Sequence, residues 1–577
     1  MKKLLSGNEA IARGAYESGV SVASAYPGTP STEILETIAR EYPEIYAEWS
    51  PNEKVAFEVG MGASFAGGRA LVTMKHVGVN VAADPLFTLS YTGIKGGFVL
   101  ISADDPGMHS SQNEQDNRNY AKFAKIPLLE PSDSQEAKEF VKMAFHISEK
   151  YDTPVMVRTT TRIAHSESII ELEEKEQIEK PEGFVRDIQK FVMIPAYARK
   201  RHVIVEERLE KLKALSEESP LQKEEFLDDN IGIITSGVAY QYTKEAMPNA
   251  SILKLGMTYP LPENLIRDFA SKVKKLYVVE ELDPYLESQI REMGIDVIGI
   301  GQRLGELSPD IVAEFFTGKT VPNILPEMKL PARPPTMCAG CPHRSVFHIL
   351  KKKKLTVSGD IGCYTLSVLP PLEIMDTCVC MGASITAAMG IEKATGRSDN
   401  VVAVIGDSTF VHSGITGLVD MVYNKSKGTV IILDNDTTAM TGRQDHPATG
   451  KTLMGEDTTR LDFFNLAKAL GIEYVRNVDP YDLKELESVI DEATKLDKLA
   501  LIITNRPCVL LKRDTKPKLA VVDPDVCVAC GLCLRLGCPA MARTSAENKK
   551  VRIDPVLCSG CMVCAQVCRS KAISEKV

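Results

Sequence analysis

The chain of 577 residues is too long for one hydrophobic core, and at roughly 150 residues per domain it should form about four domains. Hydrophobic residues make up 44% and charged residues 25%, and the net charge of -9 does not indicate a nucleic-acid-binding or membrane-binding surface. No run approaches the roughly 20 apolar residues that would span a bilayer, and the N-terminus turns polar too early for a signal peptide. We therefore expect a cytoplasmic protein with no nucleic-acid or membrane partner.

The first 180 residues predict one α/β domain. Short apolar runs such as Ala70–Met74 and Phe98–Ser102 alternate with amphipathic stretches, which is typical of strands and helices around a parallel sheet. Residues 181–230 are predicted to form a charged helical connector, because the sequence from Glu167 to Gln222 is rich in Glu and Lys. Such composition favours solvated helices that bridge domains.

Two further α/β domains and a cysteine-rich module follow. The domain at 231–320 begins with the strand Ile231–Thr235, and five prolines between Pro322 and Pro335 mark an extended linker at 321–337. Residues 338–515 carry three more predicted strands, and 516–577 form a separate module. These three strands are Val401–Ile405, Val430–Leu433 and Ala500–Ile503.

The fourteen cysteines are clustered, which in a large chain without a signal peptide indicates metal or redox chemistry rather than disulfides. In the C-terminal module, two groups of three cysteines at every third position each precede a fourth cysteine. This is the spacing of bacterial two-cluster ferredoxins, in which the fourth ligand crosses to the other cluster. The two predicted [4Fe-4S] sets are Cys527, Cys530, Cys533 and Cys568, and Cys558, Cys561, Cys564 and Cys538.

Two departures from the ferredoxin pattern stand out. Four residues separate Cys533 from Cys538 where three are usual, and Arg569 follows the last cysteine where proline is usual. We expect these changes to alter the reduction potential or the lability of a cluster without removing it. Structural zinc on paired C-x-x-C motifs is the competing explanation, although zinc rarely uses three evenly spaced cysteines plus a fourth.

Polar residues follow two predicted strands of the third α/β domain. Val401–Ile405 runs into Gly406-Asp407-Ser408, and 28 positions after Asp407 a second strand ends at Asn435. Neighbouring strand ends can supply the oxygen ligands that a hard divalent ion bridging two phosphates needs. Asp after Gly at a strand end is also common in ordinary turns.

The same segments resemble the signature of thiamine-diphosphate enzymes, and the sequence from Ala439 to Gln444 resembles the family's MTGGQ segment. The resemblance implies Mg²⁺ held by Asp407, Asn435 and the carbonyl of Thr437. The implied cofactor-binding residues are Gly406, Asp407, Ser408, Asn435, Thr437, Met440 and Thr441.

Thiamine-diphosphate folds also need a second domain whose carboxylate lies against the cofactor's pyrimidine ring. Glu53 opens a helix of small residues in the first domain, much as in the family's pyrimidine domain, and Glu58 is the substitute candidate. The carboxylate must be buried to hold a proton near neutral pH. A solvated glutamate at a helix start, favoured by the helix dipole, is the alternative.

A third set of cysteines resembles the ligands of the cluster nearest thiamine in 2-oxoacid:ferredoxin oxidoreductases. The set is Cys338, Cys341, Cys363 and Cys508. The competing explanation is buried, inert cysteine. Cys378 and Cys380 are left unassigned, and packing is favoured for both.

With this set the resemblance covers the whole chain, and it is to the alpha subunits of indolepyruvate ferredoxin oxidoreductases. It implies a multi-domain thiamine-diphosphate-binding α/β fold: a pyrimidine-binding domain at 1–180, a transketolase-C-like domain at 231–320 and a diphosphate-binding domain at 338–515. A two-cluster ferredoxin-like domain at 516–577 completes it.

The segment from Tyr26 to Thr32 resembles the family's YPITPS loop, whose threonine contacts the oxoacid, so the resemblance assigns that role to Thr29. A Pro-Gly-Thr-Pro turn with helix capping at Ser31 explains the same sequence. Pyruvate-specific relatives hold the substrate carboxylate with an arginine after the strand that matches Phe98–Ser102, whereas Asp104-Asp105 follows here. Carboxylate recognition is therefore expected elsewhere, and pyruvate is disfavoured.

The resemblance implies oxidative decarboxylation of an arylpyruvate such as indolepyruvate to its acyl-CoA, a reaction of class EC 1.2.7. Electrons are expected to pass from the Cys338 set through the two C-terminal clusters to ferredoxin. Coenzyme A, a smaller beta subunit and a dimer of alpha-beta heterodimers are implied as well. Two alternatives remain: a non-oxidative thiamine-diphosphate-dependent 2-oxoacid decarboxylase, and an iron-sulfur electron carrier without thiamine chemistry.

Overall fold

The computed structural model describes residues 1–178, 183–320, 334–511, 519–545 and 547–576. These residues fall into two compact units, one before and one after the undescribed segment 321–333. Most of the predicted proline-rich linker at 321–337, and the predicted boundaries at 180 and 515, lie outside the described residues. Both units are built on parallel sheets with helices, so the predicted α/β class is confirmed.

The N-terminal unit contains a seven-stranded sheet whose strands are parallel except for one edge strand. That edge strand, Met257–Tyr259, comes from the second predicted domain and pairs with Leu128–Leu129. The strands in spatial order are Met257–Tyr259, Leu128–Leu129, Val155–Thr160, Phe98–Asp104, Ala70–Lys75, Val22–Ala25 and Tyr46–Trp49. The helices of this region are Gly7–Glu17, Thr32–Glu41, Glu53–Phe65, His76–Val81, Ala83–Thr92, Arg118–Ala124, Ser134–Tyr151 and Thr161–His165. A separate antiparallel pair joins Lys2–Ser6 to Glu167–Glu171.

A five-stranded sheet forms the second part of this unit. Its strands in spatial order are Ile298–Gly299, Lys275–Val279, Ile231–Thr235, Ser251–Lys254 and Lys223–Glu225, of which the last is antiparallel. The helices around it are Gly237–Ala246, Glu263–Ser271, Tyr285–Glu292 and Pro309–Thr317. Arg118, from the first sheet's layer, donates to Glu280 and to the Glu281 carbonyl of this second part.

The segment predicted as a solvated connector contains the short helix Ile188–Phe191 and the long helix Pro195–Glu218. Arg201 and Arg208 of the long helix are buried, and they donate to the carbonyls of Tyr91, Thr92, Ser90 and Asp152. The helix is thus fastened to the first sheet's helical layer along one face rather than solvated all round.

The C-terminal unit contains a five-stranded, fully parallel sheet with a separate hydrophobic core on each face. Its strands in spatial order are Thr356–Ser358, Val401–Gly406, Gly428–Asp434, Leu499–Asn505 and Tyr474–Val478. Helices His343–Lys353 and Leu483–Thr494 contribute to one core, and Ala383–Thr395, Ile415–Tyr423 and Phe463–Ala469 to the other. A short 3₁₀ helix, Cys363–Val368, a single α-helical turn, Asp407–Thr409, and the π-helical segment Phe410–Gly414 complete the domain.

The cysteine-rich module is part of the same C-terminal unit. Strand Ala520–Val522 pairs with Ile573–Glu575, and Met541–Arg543 pairs with Val551–Ile553. Two short helices, Leu532–Leu536 and Val563–Val567, lie between the strands in sequence. Leu536 and Val563 belong to the same hydrophobic core as Phe347 and Leu486 of the sheet domain, so the module packs directly on that domain. None of the helices in the described ranges is both long and apolar enough to cross a bilayer.

Candidate active site and cluster sites

Asp407 and Asn435 meet at the carboxyl ends of two adjacent parallel strands. Gly406 and Leu433 are register partners in these strands, so the residues that follow them leave the sheet side by side. The carboxylate of Asp407 accepts hydrogen bonds from the backbone N–H groups of Ser408, at 2.8 Å, and Asn435, at 3.0 Å. The structure thus brings together the two predicted metal ligands that lie 28 residues apart.

Three oxygen atoms converge at this point. The side-chain oxygen of Asn435 lies 3.2 Å from Asp407 Oδ2 and 2.8 Å from the carbonyl oxygen of Thr437, with no hydrogen between them. Oxygen atoms this close repel each other. The repulsion is relieved if the Asn435 amide is rotated so that its N–H group donates to both oxygens, or if a cation lies among the three oxygens. A carboxylate, an amide oxygen and a carbonyl are the ligands that Mg²⁺ prefers. The donor set therefore fits a divalent cation.

Two histidines that the sequence analysis missed flank these ligands. His343 Nε2 lies 3.2 Å from the Asn435 amide, and His446 Nε2 lies 3.3 Å from Asp407 Oδ2. Burial lowers the pKa of His343 to about 4, so its imidazole is neutral and one ring nitrogen can accept from the amide of Asn435. Each histidine follows a singled-out motif, Cys338–Cys341 or Ala439–Gln444, within two residues, and that was the available signal.

The charge of Asp407 is set by opposing effects. Burial raises its pKa, but the nearby His446 imidazole and hydrogen bonds from the two backbone amides outweigh burial, so the pKa lies below its ordinary value. Asp407 is thus a carboxylate at neutral pH, the form that binds a cation.

The other predicted cofactor residues are only partly gathered here. Gly406 donates its N–H to the Tyr364 hydroxyl, and the Ser408 hydroxyl accepts from Thr438. Thr441 lies on a loop that folds back on itself, donating to Gln444 Oε1 at 2.6 Å. Met440, at the tip of that loop, is 51% exposed in this unit, so the structure does not bring it to the three oxygens.

The four cysteines of the predicted proximal set lie in one neighbourhood of the C-terminal unit. Burial raises the pKa of Cys341 to about 12, with Cys363 and Cys338 adding to the effect. Burial likewise raises the pKa of Cys363 to about 11, with contributions from Cys508 and Cys338. Thiols that raise each other's pKa must be close in space. The four predicted ligands, from segments up to 170 residues apart in sequence, are therefore assembled.

This proximal set is attached to the cation ligands through the backbone. The N–H of Cys508 donates to the carbonyl of Asn435 at 2.9 Å. Burial raises the pKa of the Cys508 thiol, and the charge of Asp407 adds to that effect. The predicted metal site and the predicted proximal cluster site are thus neighbours.

The module's cysteines fall into the two predicted sets. Burial raises the pKa of Cys564 to about 12, with Cys561, Cys538 and Cys558 adding to it and Cys533 of the other set contributing last. Burial also raises the pKa of Cys533, and there the contributing thiols are Cys568 and Cys530. Cys538 and Cys568 have therefore exchanged groups, which is the crossing that two-cluster ferredoxins show. Cys527 precedes Cys530 by three positions and is half-buried.

A small, mostly apolar cavity of about 30 Å³ lies inside the first of these sets. Its lining includes all four thiols of the set and also Cys341 of the proximal set. The cysteines are Cys538, Cys558, Cys561, Cys564 and Cys341. Among the described residues, no three His, Cys, Asp or Glu side chains lie close enough to hold one metal ion. An iron-sulfur cube needs wider spacing, because each thiolate binds a different iron atom.

The proximal and module loops touch. A Cβ atom on Gly340, whose φ is +70°, would lie 1.8 Å from Ser559 Oγ. Tyr481 of the sheet domain donates a hydrogen bond to the Gly340 carbonyl and fixes the loop on the other side. Only glycine allows this approach between the Cys338–Cys341 loop and the Cys558–Cys561 loop.

Cys378 and Cys380 do not pack in the core. Both cysteines are exposed. Partial burial raises the pKa of each thiol, and the charge of nearby Asp360 raises it further. The expectation that they serve packing is wrong, because their segment precedes the helix Ala383–Thr395 on the surface of the unit.

In the N-terminal unit, the structure distinguishes the two glutamate candidates. Glu53 begins the helix Glu53–Phe65 and is 6% exposed, and a Cβ atom on Gly78 would lie 2.9 Å from its Oε1. The Glu58 side chain is 39% exposed and pairs with Lys54. The structure therefore buries Glu53 and leaves the Glu58 side chain at the surface.

Thr29 lies in a loop that ends at the helix Thr32–Glu41. Its carbonyl accepts from the Ser110 hydroxyl at 3.3 Å. Ser31 occupies the N-cap position, but its hydroxyl donates to the Gly28 carbonyl at 2.9 Å and makes no capping hydrogen bond. The loop is therefore held from within and by Ser110.

Lys75 is a buried cation beside this loop that the sequence analysis missed. It ends the strand Ala70–Lys75, is 9% exposed, and donates to the Ser110 carbonyl at 2.5 Å. A Cβ atom on Gly28 would lie 3.2 Å from the Cβ of Lys75. No carboxylate of the described residues forms an ion pair with Lys75, and burial lowers its pKa to about 8.

The Asp104-Asp105 pair has internal partners. Asp104 pairs with buried Arg158 at 2.6 Å. Asp105 accepts from Ser110, Ser111 and Thr161. Neither carboxylate neutralises Lys75 by direct contact.

Comparisons with known proteins cover both units. The family described as "Pyruvate flavodoxin/ferredoxin oxidoreductase, thiamine diP-bdg" matches residues 13–208, and "Thiamine pyrophosphate enzyme, C-terminal TPP binding domain" matches residues 360–504. The first range contains Thr29 and Glu53, and the second contains Asp407 and Asn435. The predicted thiamine-diphosphate-binding fold is thereby confirmed.

Individual relatives match over nearly the full length. "Indolepyruvate oxidoreductase subunit IorA" of Archaeoglobus fulgidus is 42% identical, covering 99% of this chain and 97% of the relative. The protein of the same name from Pyrococcus horikoshii is also 42% identical, covering 100% and 97%. Among solved structures, the 2-oxoglutarate:ferredoxin oxidoreductase from Magnetococcus marinus matches at 17% identity and a TM-score of 0.46, covering 55% of this chain and 65% of that chain.

Proposed function

This chain belongs to the family of indolepyruvate oxidoreductase subunits IorA, and from that membership we propose that it decarboxylates arylpyruvates oxidatively, with indolepyruvate as the preferred substrate. It is a subunit of a thiamine-diphosphate-dependent 2-oxoacid ferredoxin oxidoreductase. In our proposal the acyl group passes to coenzyme A, and the electrons leave through [4Fe-4S] clusters to ferredoxin.

The observation that carries this proposal is the hydrogen bond from Cys508 to Asn435. It supports the proposal because Cys508, which we assign to the proximal cluster, contacts Asn435, which we assign to Mg²⁺. A non-oxidative decarboxylase would need no thiols there, and an electron carrier would need no converging carboxylate, amide and carbonyl oxygens. The oxidative enzyme uses both.

When bound, thiamine diphosphate and its Mg²⁺ supply the carbanion-stabilising chemistry by which a 2-oxoacid loses carbon dioxide. We assign Asp407, Asn435 and the Thr437 carbonyl to the metal. Gly406, Ser408 and Thr441 are assigned to the cofactor, and Met440 as well, although it is exposed in this unit. His343 orients the Asn435 amide, and His446 keeps Asp407 ionised. Glu53 is assigned to the cofactor's pyrimidine ring, because its buried carboxyl group lies against Gly78.

Substrate binding is assigned to Thr29 and Lys75 in the N-terminal unit. The loop carrying Thr29 and the Lys75 ammonium both contact Ser110, so they face a common position. A buried ammonium without a carboxylate partner is stabilised by an anionic ligand. The substrate's carboxylate supplies that charge, which accounts for carboxylate recognition without the arginine of pyruvate-specific relatives.

The proposed electron route follows the contacts of the C-terminal unit. Three [4Fe-4S] clusters are assigned: one to the proximal set, one to the set around the small apolar cavity, and one to the remaining module set. Cys341 lines that cavity, so the residues that would hold the proximal cluster adjoin those that would hold the cluster at Cys558, and bound clusters would supply a route for electrons toward the set that includes Cys533 and Cys568.

Partners and location complete the proposal. The relatives' name identifies them as subunits, and we propose a smaller beta subunit and a dimer of alpha-beta heterodimers. Since thiol-ligated clusters need reduced cysteines, we place the enzyme in the cytoplasm.

The test uses the alpha and beta subunits co-expressed and purified without oxygen. Ferredoxin reduction is measured with coenzyme A and, in turn, indolepyruvate, phenylpyruvate, pyruvate and 2-oxoglutarate, and we expect the largest kcat/KM with indolepyruvate. Aldehyde without reduced ferredoxin would instead identify a non-oxidative decarboxylase. A protein with clusters but no bound thiamine diphosphate would identify an electron carrier.

A further inference from the structure

A basic groove with a volume of about 840 Å³ lies on the C-terminal unit, between the sheet domain and the cysteine-rich module. Helices His343–Lys353 and Leu483–Thr494 form one side, and residues around Leu532–Leu536 and the end of Val563–Val567 form the other. Its lining includes six charged residues: Lys351, Lys352, Lys484, Arg535, Arg569 and Glu487.

The groove carries an excess of positive charge. Lys352 pairs with Glu487 at 2.7 Å, and Lys351 pairs with Glu373 at 3.2 Å. No carboxylate of the described chain pairs with Lys484, Arg535 or Arg569, all of which are exposed. Burial, followed by the nearby charge of Lys352, lowers the pKa of His348, so the positive charge at neutral pH comes from the lysines and arginines.

Arg569 and Arg535 connect the groove to one particular cluster site. Arg569 follows Cys568 directly, and Arg535 lies two residues after Cys533. Cys533 and Cys568 belong to the set that does not line the cavity shared with Cys341. The groove therefore lies beside the cysteines assigned to the terminal cluster of the proposed electron route. Arg569 also occupies the position where two-cluster ferredoxins usually have proline, so this departure adds a cation at the groove.

We propose that this groove, which we call the basic groove, is the docking site of an acidic one-electron carrier protein of the ferredoxin type. The proposal rests on the proposed function, since it places the acceptor at the end of that electron route. Complementary charge across an interface accelerates encounter and fixes orientation. A groove beside the ligand loops of the terminal cluster also brings a docked carrier close to the electron donor.

The redox balance of the docking step is simple. One 2-oxoacid anion and one coenzyme A thiol yield one thioester, one carbon dioxide, one proton and two electrons. The electrons leave the terminal cluster one at a time, so each turnover reduces two carrier molecules in two successive docking events.

The test is a triple variant, Lys484→Gln, Arg535→Gln and Arg569→Gln, in the complete alpha-beta complex. The probe is a purified acidic ferredoxin with a single cluster, which accepts one electron, and methyl viologen serves as a small acceptor that needs no docking site. At low ionic strength we expect the KM for ferredoxin to rise roughly tenfold or more, because three steering charges are lost. Viologen reduction and iron content should stay unchanged.

The matched control removes three positive charges from the opposite face of the same sheet: Lys393→Gln, Arg397→Gln and Lys425→Gln. These residues are exposed on or just beyond the helices that form the other core. The control should keep the KM of the unchanged enzyme. At about 1 M salt, which screens charges beyond a few Å, the unchanged enzyme and the groove variant should have the same KM.

Equal KM values for the groove variant and the control at low salt would overturn the docking site. Loss of viologen reduction in the groove variant alone would also overturn it, because the side chains would then support the clusters. Dissociation of the beta subunit from the groove variant would show that a subunit occupies the groove and would overturn it too. An unchanged enzyme that reduces neither acceptor would instead contradict the proposed function.

Discussion

At the scale of single residues, the most informative side chains are charged groups buried without the usual partner. Asp407 is ionised although 3% exposed, because His446 and two backbone amides stabilise its charge. Lys75 donates to the Ser110 carbonyl, and burial, partly offset by the charge of Asp105, lowers its pKa to about 8. Both arrangements become favourable when a ligand of opposite charge binds.

Asp407 provides the first prediction. Asp407→Ala removes the charged ligand of the proposed metal site, so the alpha-beta complex should lose thiamine diphosphate on gel filtration, as measured by the cofactor released on denaturation. Asp436→Ala is the control, because Asp436 pairs with Arg460 on the same loop. If the Asp407 variant retains stoichiometric cofactor, the metal assignment is wrong.

Lys75 provides the second prediction, which includes a pH dependence. Lys75→Met should raise the KM for indolepyruvate by roughly 10- to 100-fold, since a charge-assisted hydrogen bond contributes about 1.5–3 kcal/mol. In the unchanged enzyme, kcat/KM should fall above pH about 8, because the free ammonium then loses its proton and its charge.

Lys75→Arg is the control for this pH effect. Because arginine keeps its charge, the fall in kcat/KM should shift to higher pH while the KM stays near that of the unchanged enzyme. A profile that is identical in all three proteins would remove Lys75 from substrate binding.

At the scale of elements, a buried ion network joins the two sheets of the N-terminal unit. Arg118 pairs with Asp116 at 2.6 Å and with Glu280 at 2.7 Å, and all three side chains are at most 5% exposed. Glu281 adjoins this network and accepts from the Leu307 N–H at 2.9 Å. Such a network restricts movement between the two sheets, because breaking a buried ion pair would leave a charge buried without a partner.

Glu281 gives the third prediction. Burial raises its pKa to about 7, above the value of 4.5 for an exposed glutamate. Between those pH values the folded protein holds a proton that the unfolded chain has released, so stability declines as pH rises through this window. Glu281→Gln keeps an acceptor for Leu307 and removes the charge, and it should raise the free energy of unfolding by about 1–3 kcal/mol at pH 8.

The measurement is the melting temperature of the variant and the unchanged protein at pH 5 and pH 8. The stabilisation should be present at pH 8 and nearly absent at pH 5, where Glu281 is protonated. Glu245→Gln, at an exposed position of the helix Gly237–Ala246, should change neither value. An equal shift at both pH values would show that charge is not the cause.

At the scale of the whole molecule, the sequence alone predicted what depends on local pattern. The α/β class, the strand ends that carry Asp407 and Asn435, and the two crossing cysteine sets all follow from residues close together in sequence. Contacts between distant segments could not be predicted in this way. The strand Met257–Tyr259 joins the first sheet instead of its own, and His343 reaches Asn435 across 92 positions.

The solvent exposure of individual side chains could not be predicted from the sequence either. Cysteine is a residue type usually found in the core, yet Cys378 and Cys380 lie on the surface. Lysine is usually found on the surface, yet Lys75 is buried. In each case the neighbouring strand and loop decide the environment, and these come from other parts of the chain. The buried arginines of the helix Pro195–Glu218 are a third example.

The contact between cluster loops gives the fourth prediction. Gly340→Ala places a methyl group against Ser559 at a positive φ, so the loop carrying Cys338 and Cys341 must move. We expect loss of part of the bound iron and slower electron transfer from substrate to viologen. The double variant with Ser559→Gly gives back space and should recover both; full iron and rate in the single variant would contradict the proposed route.

The hydrophobic core that the cysteine-rich module shares with the sheet domain ties the stability of the catalytic fold to the supply of iron. Leu536 and Val563, which flank cluster cysteines, belong to that core, so a module that loses its inorganic centres uncovers part of the neighbouring domain. In cells starved of iron we therefore expect degradation of the polypeptide, and not a reserve of empty enzyme awaiting metal.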